Sequence, residues 1–143
     1  MSYSTYAFQD LSCTIRHPSV GSFDVNGEGV GSITFAMTND TTEHEVAADG
    51  TVMISKIKSG NGTIVIEAQQ TSSLHKWLTK AYNYIEGANA REFASMGIMA
   101  NSPVMQLTHD CSGVSFQKRA DKPYQAQGQM VTWTLMAAVM QER

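Results

Sequence analysis

Polar and apolar residues alternate along much of the chain, and the alternation predicts strands. In residues 32–38, Ile33, Phe35 and Met37 fall on one side and Thr34, Ala36 and Thr38 on the other, the period of a strand buried on one face. A looser alternation runs over 6–16 and ends at His17-Pro18, because proline restricts the residue before it. Residues 21–31, rich in glycine, read as a turn region. Residues 39–50 have no period and read as an exposed loop carrying Asp40, Glu43, Glu45 and Asp49 without a lysine or arginine, closed by the turn pair Asp49-Gly50.

Two further alternating runs, 51–58 and 63–70, flank Ser59-Gly60-Asn61-Gly62. Asn61-Gly62 is the preferred pair for a type I′ turn, whose central residues both need positive φ, so a hairpin is expected here. Closed at that point, Ile57 pairs with Ile66, Ser55 with Ala68 and Met53 with Gln70, and Ile64 lies on the same apolar side. The opposite side is wettable: Val52, Ile54, Lys56 and Lys58 stand against Val65, Glu67 and Gln69. Lys56 then faces Glu67, an ion pair worth on the order of a few tenths of a kcal/mol. A turn at Gly60-Asn61 would shift the pairs by two and keep the faces.

One stretch has the helical period. Leu74, Trp77, Leu78, Ala81, Tyr82 and Ile85 recur at i, i+3, i+4, i+7, i+8 and i+11, an amphipathic stripe whose core side is Leu74, Trp77, Leu78, Ala81 and Ile85. Ser72 or Ser73 can cap the N-terminus, and Gly87 can end the helix in the left-handed conformation. Residues 93–108 read as one or two strands interrupted near Gly97 and Pro103, and 113–119 and 129–140 as two more. In the last, Val131, Trp133, Leu135, Ala137 and Val139 make the heavier apolar face, with Met130, Met136 and Met140 opposite. The fold class is therefore α+β, mainly β: two packed antiparallel sheets, as a sandwich or partly closed barrel, with one flanking α-helix.

Length and charge sharpen this picture. The 143 residues suit a single domain over 1–143. The net charge of −3 is not that of an electrostatic nucleic-acid binder. Charged residues are 16% of the chain, against about 25% in ordinary soluble domains, and uncharged polar residues outnumber them almost two to one. Such a surface suits a chain with neighbours. A strand apolar on both faces, such as 129–140, likewise needs cover on both sides, and nine methionines fit an adaptable interface as well as a core. The first ten residues lack the basic start and apolar run of a secretion signal, and Leu135–Met140, the longest apolar run, is too short to span a membrane.

Candidate chemistry is sparse. Cys13 and Cys111 are too few for a disulfide scaffold or a zinc site. His109-Asp110-Cys111 places base, acid and thiol in sequence, but neighbours on a strand point to opposite faces, so it reads as a strand end running into a turn at Ser112-Gly113. Glu43-His44-Glu45 lacks the fixed turn of a metal cage, His75 reads as a helix flank, and His17 as exposed. Gly27-Glu28-Gly29-Val30-Gly31 lacks the spacing and following helix of a phosphate loop. Lys118, Arg119 and Lys122, diluted by Asp121, form the basic cluster. No catalytic residue, cofactor or metal follows from these sets. An enzyme or ligand binder on such a scaffold would need convergent polar groups around a pocket.

Three stretches, in order, carry a family resemblance: Asp49-Gly50-Thr-Val-Met-Ile-Ser-Lys56 running through Gly62-Thr-Ile-Val-Ile-Glu67; the helix entry Gln70-Thr71-Ser72-Ser73-Leu74; and KRADKPYQAQGQMVTW from Lys118 to Trp133. Preceded by Ser12-Cys13-Thr14-Ile15, this order resembles the tail tube proteins of contractile-tailed bacteriophages, the group similar to the phage PhiTE and KPP10 tube proteins, over nearly the whole chain. The resemblance implies a structural, non-enzymatic virion protein with the tail-tube fold. Six copies would form a ring, rings would stack into the inner tail tube, and strands of all subunits would join edge to edge around a channel for DNA. It also implies partners: further copies, the sheath, baseplate and tape measure proteins, and genomic DNA passing without specific binding. The protein would be assembled in the host cytoplasm, without membrane insertion. A secretion-system tube protein or a baseplate tube initiator would share the fold.

Within that frame, Lys56, Lys58, Thr63, Glu67 and Gln69 are the candidate channel lining. Asp40, Glu43, His44, Glu45 and Asp49 belong to the candidate ring-stacking loop. The two lysines sit awkwardly in a channel for DNA, where neutral or repulsive walls are expected. Either that face looks outward, or Glu67 and other acids offset them.

Overall fold

The computed structural model describes residues 2–25 and 29–143. A short 3-10 turn (Phe8–Asp10) leads into β1 (Ser12–His17) and β2 (Gly21–Val25). β3 (Val30–Met37) is followed by β4 (Thr42–Val46), β5 (Val52–Lys56) and β6 (Gly62–Gln69), then α1 (Ser73–Glu86) and a four-residue α2 (Ala90–Phe93). β7 (Met96–Ser102), β8 (Leu107–Phe116) and β9 (Met130–Glu142) complete the chain. Seven strands form one antiparallel sheet in the order β2-β1-β7-β8-β9-β6-β3, and β4 pairs with β5 as a separate two-stranded ribbon. The mainly-β class, the two antiparallel sheets, the partial closure and the flanking helix all agree with the sequence.

The large sheet must curl. Its edge strands β2 and β3 are consecutive, and only residues 26–29 separate them. Laid flat, seven strands would set those edges about 29 Å apart, at about 4.8 Å per spacing. The chain from Val25 to Val30 can span at most about 18 Å. The paired strands β8 and β9 share a bend in this curl. In β8 the buried positions are Cys111 and then Val114 and Phe116; in β9 they run Val131, Trp133, Leu135 and Ala137, after which Val139 is exposed and Met140 turns inward. The inward face thus changes register at the paired Gly113 and Ala138, as at a corner where strands pass from one layer to another. Gly113 has φ +63°, and a Cβ there would lie 2.8 Å from the Ala138 Cβ. Phe35 on edge strand β3 reaches across to stack on His109 of β8, with ring centroids 4.4 Å apart and planes at 2°.

Helix α1 covers the open flank. Leu74, Leu78, Ala81 and Ile85 are buried in one cluster with Ile15, Ile64, Ile66, Met96, Ile98 and Leu135, and Trp77 is half-buried against Phe23. Ser72 is the cap, accepting the His75 N–H on its hydroxyl oxygen at 3.2 Å. Trp133 sits at the centre of this packing, with Phe116 edge-on at 5.3 Å. Its indole Nε1–H donates to Nδ1 of His75 at 3.0 Å, so His75 is a buried partner and not a helix flank.

Several expectations are corrected. The first strand begins at residue 12 and runs through His17, which is buried. Its Nε2–H donates to the Glu92 carbonyl oxygen at 2.9 Å while Nδ1 accepts the Ser19 N–H at 3.1 Å. Of the turn expected over 21–31, and of the glycine-rich run within it, residues 26–28 lie outside the described residues; the remainder belongs largely to β2 and β3. The loop 39–50 contains strand β4. Gly87 ends the helix at φ −95°, not left-handed. β7 continues through Gly97, opposite which β8 carries the extra residue of a bulge at Ser112-Gly113, and His109-Asp110-Cys111 lies within β8 rather than at its end.

The largest correction is the hairpin. β5 pairs with β4, while β6 lies between β3 and β9, so Gly62 stands opposite Met37 and Glu67 opposite Ser32 and Thr132. Lys56 faces Thr42, and the expected Lys56–Glu67 pair does not form. Neither Asn61 nor Gly62 has positive φ. Gly62 is required for close approach: a Cβ there would meet the end of Met140 at 2.6 Å and the Ala36 carbonyl oxygen at 2.8 Å. Asn61 instead uses its side-chain oxygen, which accepts from Ser59 Oγ at 2.7 Å and from Asn39 Nδ2 at 3.1 Å, latching the base of the ribbon.

Two predictions follow from the corner and the core. Gly113→Ala should destabilise the subunit by about 2 kcal/mol or more, since it adds both left-handed strain and overlap. An earlier urea midpoint at unchanged slope would record it, and the exposed neighbour Ser112→Ala should shift stability by no more than about 0.5 kcal/mol. Burial first, and the Lys122 charge second, hold the His75 imidazole below its ordinary value of 6.5. The folded state therefore binds fewer protons at this site than the unfolded chain. Its contribution is full above pH 6.5 and is lost as pH falls through the folded-state value. The urea midpoint of the native protein should fall more steeply between about pH 7.5 and 5 than that of His75→Gln, whose amide oxygen still accepts from Trp133 but does not titrate there.

Candidate functional site

The surfaces left over once the core is filled are of three kinds. The first is a wall formed by the outward faces of β3, β6 and β9. Its rows are read directly from the pairing: Ser32, Glu67 and Thr132; Thr34, Val65 and Thr134; Ala36, Thr63 and Met136. Across these rows Glu67 is the one charged side chain; the rest are hydroxyls, short apolar groups and a methionine. The structure thus brings Thr63, Glu67 and Gln69 together on the wettable side of β6, as the alternation indicated, with Ile64, Ile66 and Ala68 buried beneath. Lys56 and Lys58 are not there: one belongs to the ribbon and the other follows it. At the β9 margin, Lys118, Asp121 and Lys122 border a shallow groove with Thr132 and Thr134. Lys118 is paired with Asp121 at 3.8 Å, and Lys122 lies over the Trp133 ring at 5.3 Å.

The second is the ribbon. Every residue of β4 and β5 is exposed. The pairs His44–Ile54 and Val46–Val52 give one side an apolar centre, with Val46 66% and Ile54 67% exposed, flanked by Thr42 and Lys56. Glu43 opposite Ser55 and Glu45 opposite Met53 give the other side its acids. Among the described residues neither glutamate has an ion-pair partner. At the tip, Gly50 has φ +90° and the Asp49 carboxylate accepts the Thr51 N–H at 3.0 Å, which holds its pKa below the ordinary carboxylate value. Asp40 lies in the segment between β3 and β4. The sequence reading placed all five residues on one exposed loop and read 51–58 as a strand, but it missed β4 and the partner of β5, because β4, exposed on both sides, shows no alternation of burial.

The third is a groove of about 480 Å³ on the outer side of β1, β7 and β8, bordered by Arg16, Gly97, Met99 and Asp110. The chemistry of a catalytic centre is not assembled at any of these places. Burial raises the pKa of Cys13 to about 12 and of Cys111 to about 11, with the other thiol and Asp110 as the respective lesser causes, which leaves both as inert core groups. Among the described residues no cluster of three metal-ligating side chains occurs.

A family model described as the bacteriophage PhiTE tail tube protein matches residues 3–143. The chain belongs to the PhiTE tail tube family. Its role is thereby that of a structural component of a tail tube. No curated protein matches the chain. Solved structures share the fold across contractile systems. The tube-terminating cap of the anti-feeding prophage superposes with a TM-score of 0.61 at 10% identity, over 100% of this chain and 93% of that one. The sheath/tube terminator of the extracellular contractile injection system PVC gives 0.62 at 10% identity, over 99% and 98%. Its sheath-tube complex in the extended state gives 0.57 at 10% identity, over 97% and 91%. At this identity the likeness is one of fold.

Proposed function

We propose that the protein builds the inner tail tube of a contractile-tailed bacteriophage, six copies closing a ring and rings stacking into a hollow channel for DNA, with no enzymatic role. The observation that carries this reading is the wall of β3, β6 and β9. The rows of that face carry one carboxylate per subunit and no cation, the lysines at its margin being engaged by Asp121 and by the Trp133 ring, and six subunits would present a ring of Glu67 carboxylates. The lysines that made this face awkward as a channel belong elsewhere, so Thr63, Glu67 and Gln69 stay as channel lining while Lys56 and Lys58 do not.

Ring closure would also cover the free edges of β2 and β3, which otherwise invite uncontrolled pairing. The ribbon, carrying Asp40, Glu43, His44, Glu45 and Asp49, would cross to a neighbouring subunit, where Val46, Val52 and Ile54 lose their exposure. The outer surface would meet the sheath, the ends of the tube the baseplate, and the lumen the tape measure protein before DNA. Such a particle is assembled in the host cytoplasm and resides in the virion tail. The likeness to tube terminators favours one second reading, a cap that ends a tube without propagating it.

Electron microscopy of the concentrated protein should reveal rings or open-ended tubes. Discrete rings that never lengthen would favour the cap, and a monomer at every concentration, with or without tube seeds, would overturn both. Glu67→Lys should leave tube assembly intact and slow DNA release from the phage, measured as dye-accessible DNA against time. Unchanged release would remove Glu67 from the channel.

A further inference from the structure

We propose that the ribbon of one subunit seats in the Arg16 groove of a second copy, Glu45 meeting Arg16 and Met53 lying on Met99. The proposal rests on the tube reading above and assigns one of its contacts. The groove exists because β7 shifts register between Met96 and Ile98, leaving Gly97 without a side chain between Arg16 and the β8 backbone. Its charges are unequally satisfied. Asp110 is held by Arg143 at 3.3 Å, and both ring nitrogens of His17 are engaged by backbone groups. Arg16 has no hydrogen-bond or ion-pair partner among the side chains of the described residues, and Met99 beside it is 46% exposed. The groove therefore offers one unpaired cation next to an apolar thioether.

The ribbon offers the complement in the same arrangement. Glu45 and Met53 are directly paired across β4 and β5, so a carboxylate and an apolar side chain stand side by side on one face. An isolated two-stranded ribbon exposed on both sides is marginal in water, so a covering surface would hold it. No ribbon residue borders the groove of its own chain. A projection on one part of a molecule that fits a recess on another makes a head-to-tail contact, and such contacts propagate into rings or stacks. A second copy of this chain is thus the occupant that the charges and the geometry select.

The test uses the full-length protein. Arg16→Glu and Glu45→Arg should each raise the concentration for half-maximal sedimentation of tubes by at least about 10-fold, as expected when a like-charge pair is forced into an interface. The combined swap should return it to within about 3-fold of the native value by restoring the opposite charges. Independently, Met53→Cys mixed with Met99→Cys should give a disulfide-linked dimer under mild oxidation in assembled tubes, because the native thiols are buried. Native tubes with unaffected single variants and no cross-link would overturn the groove assignment and leave the tube standing. A native protein that never assembles would overturn the tube reading itself. If a charge variant loses its fold, the cysteine pair still decides: cross-linking supports the contact, and its absence in intact tubes removes it.

Discussion

The short connection between β2 and β3 governs this molecule. Two strands at opposite edges of a seven-stranded sheet are tied by residues 26–29, so the sheet must wrap. Wrapping fixes an inside and an outside. The inside receives Trp133, the isoleucines of β6 and the apolar stripe of α1, and the outside of β3, β6 and β9 becomes a broad convex surface with no core function. The bend at Gly113 and Ala138 is part of that wrap, and Phe35 reaches across from the edge strand to stack on His109. The bland wall is thus a consequence of closure, and its composition is free to serve whatever lies outside.

The sequence disclosed faces better than partners. In β6 the alternation identifies Ile64, Ile66 and Ala68 as buried and Glu67 and Gln69 as wet, because side-chain period depends only on the strand itself. Which strand lies beside it depends on the rest of the fold. Asn61-Gly62 pointed to a local hairpin, yet the chain left the barrel for the ribbon and returned, and the glycine answers a close approach by Met140 and Ala36. The same dipeptide can serve conformation or space, and one sequence does not separate the two. The helix and its apolar stripe were legible, since six apolar residues at a 3.6-residue period have one reading, while its end at Gly87 and the role of His75 were not.

The polar residues of the core were the least legible. His17 and His75 carry no sign in the sequence that distant groups satisfy them: the Glu92 carbonyl, beside the neighbouring Ser19 amide, for one and Trp133 for the other. A buried imidazole is tolerated when its nitrogens are paired, and the pairing is set by tertiary placement. The exposed ribbon is only half announced, for the opposite reason. Residues 51–58 alternate and read as a strand, whereas 39–50 has no period, because β4 has no burial within its own chain to write one.

That absence carries information about function. A chain with few charges that exposes Val46, Val52, Met53 and Ile54 together on a thin ribbon is poorly built to remain alone. One side of the ribbon carries Val46, Val52 and Ile54 and the other carries Glu43, Glu45 and Met53, so a single neighbour cannot cover both by flat contact with one surface. Covering both sides requires a crevice between bodies or a recess in one. A closed ring of subunits, followed by another ring, supplies such crevices at every repeat, whereas a simple two-fold dimer would supply one arrangement and stop. The exposure of both sides of a ribbon two strands wide therefore favours an assembly that continues over one that terminates.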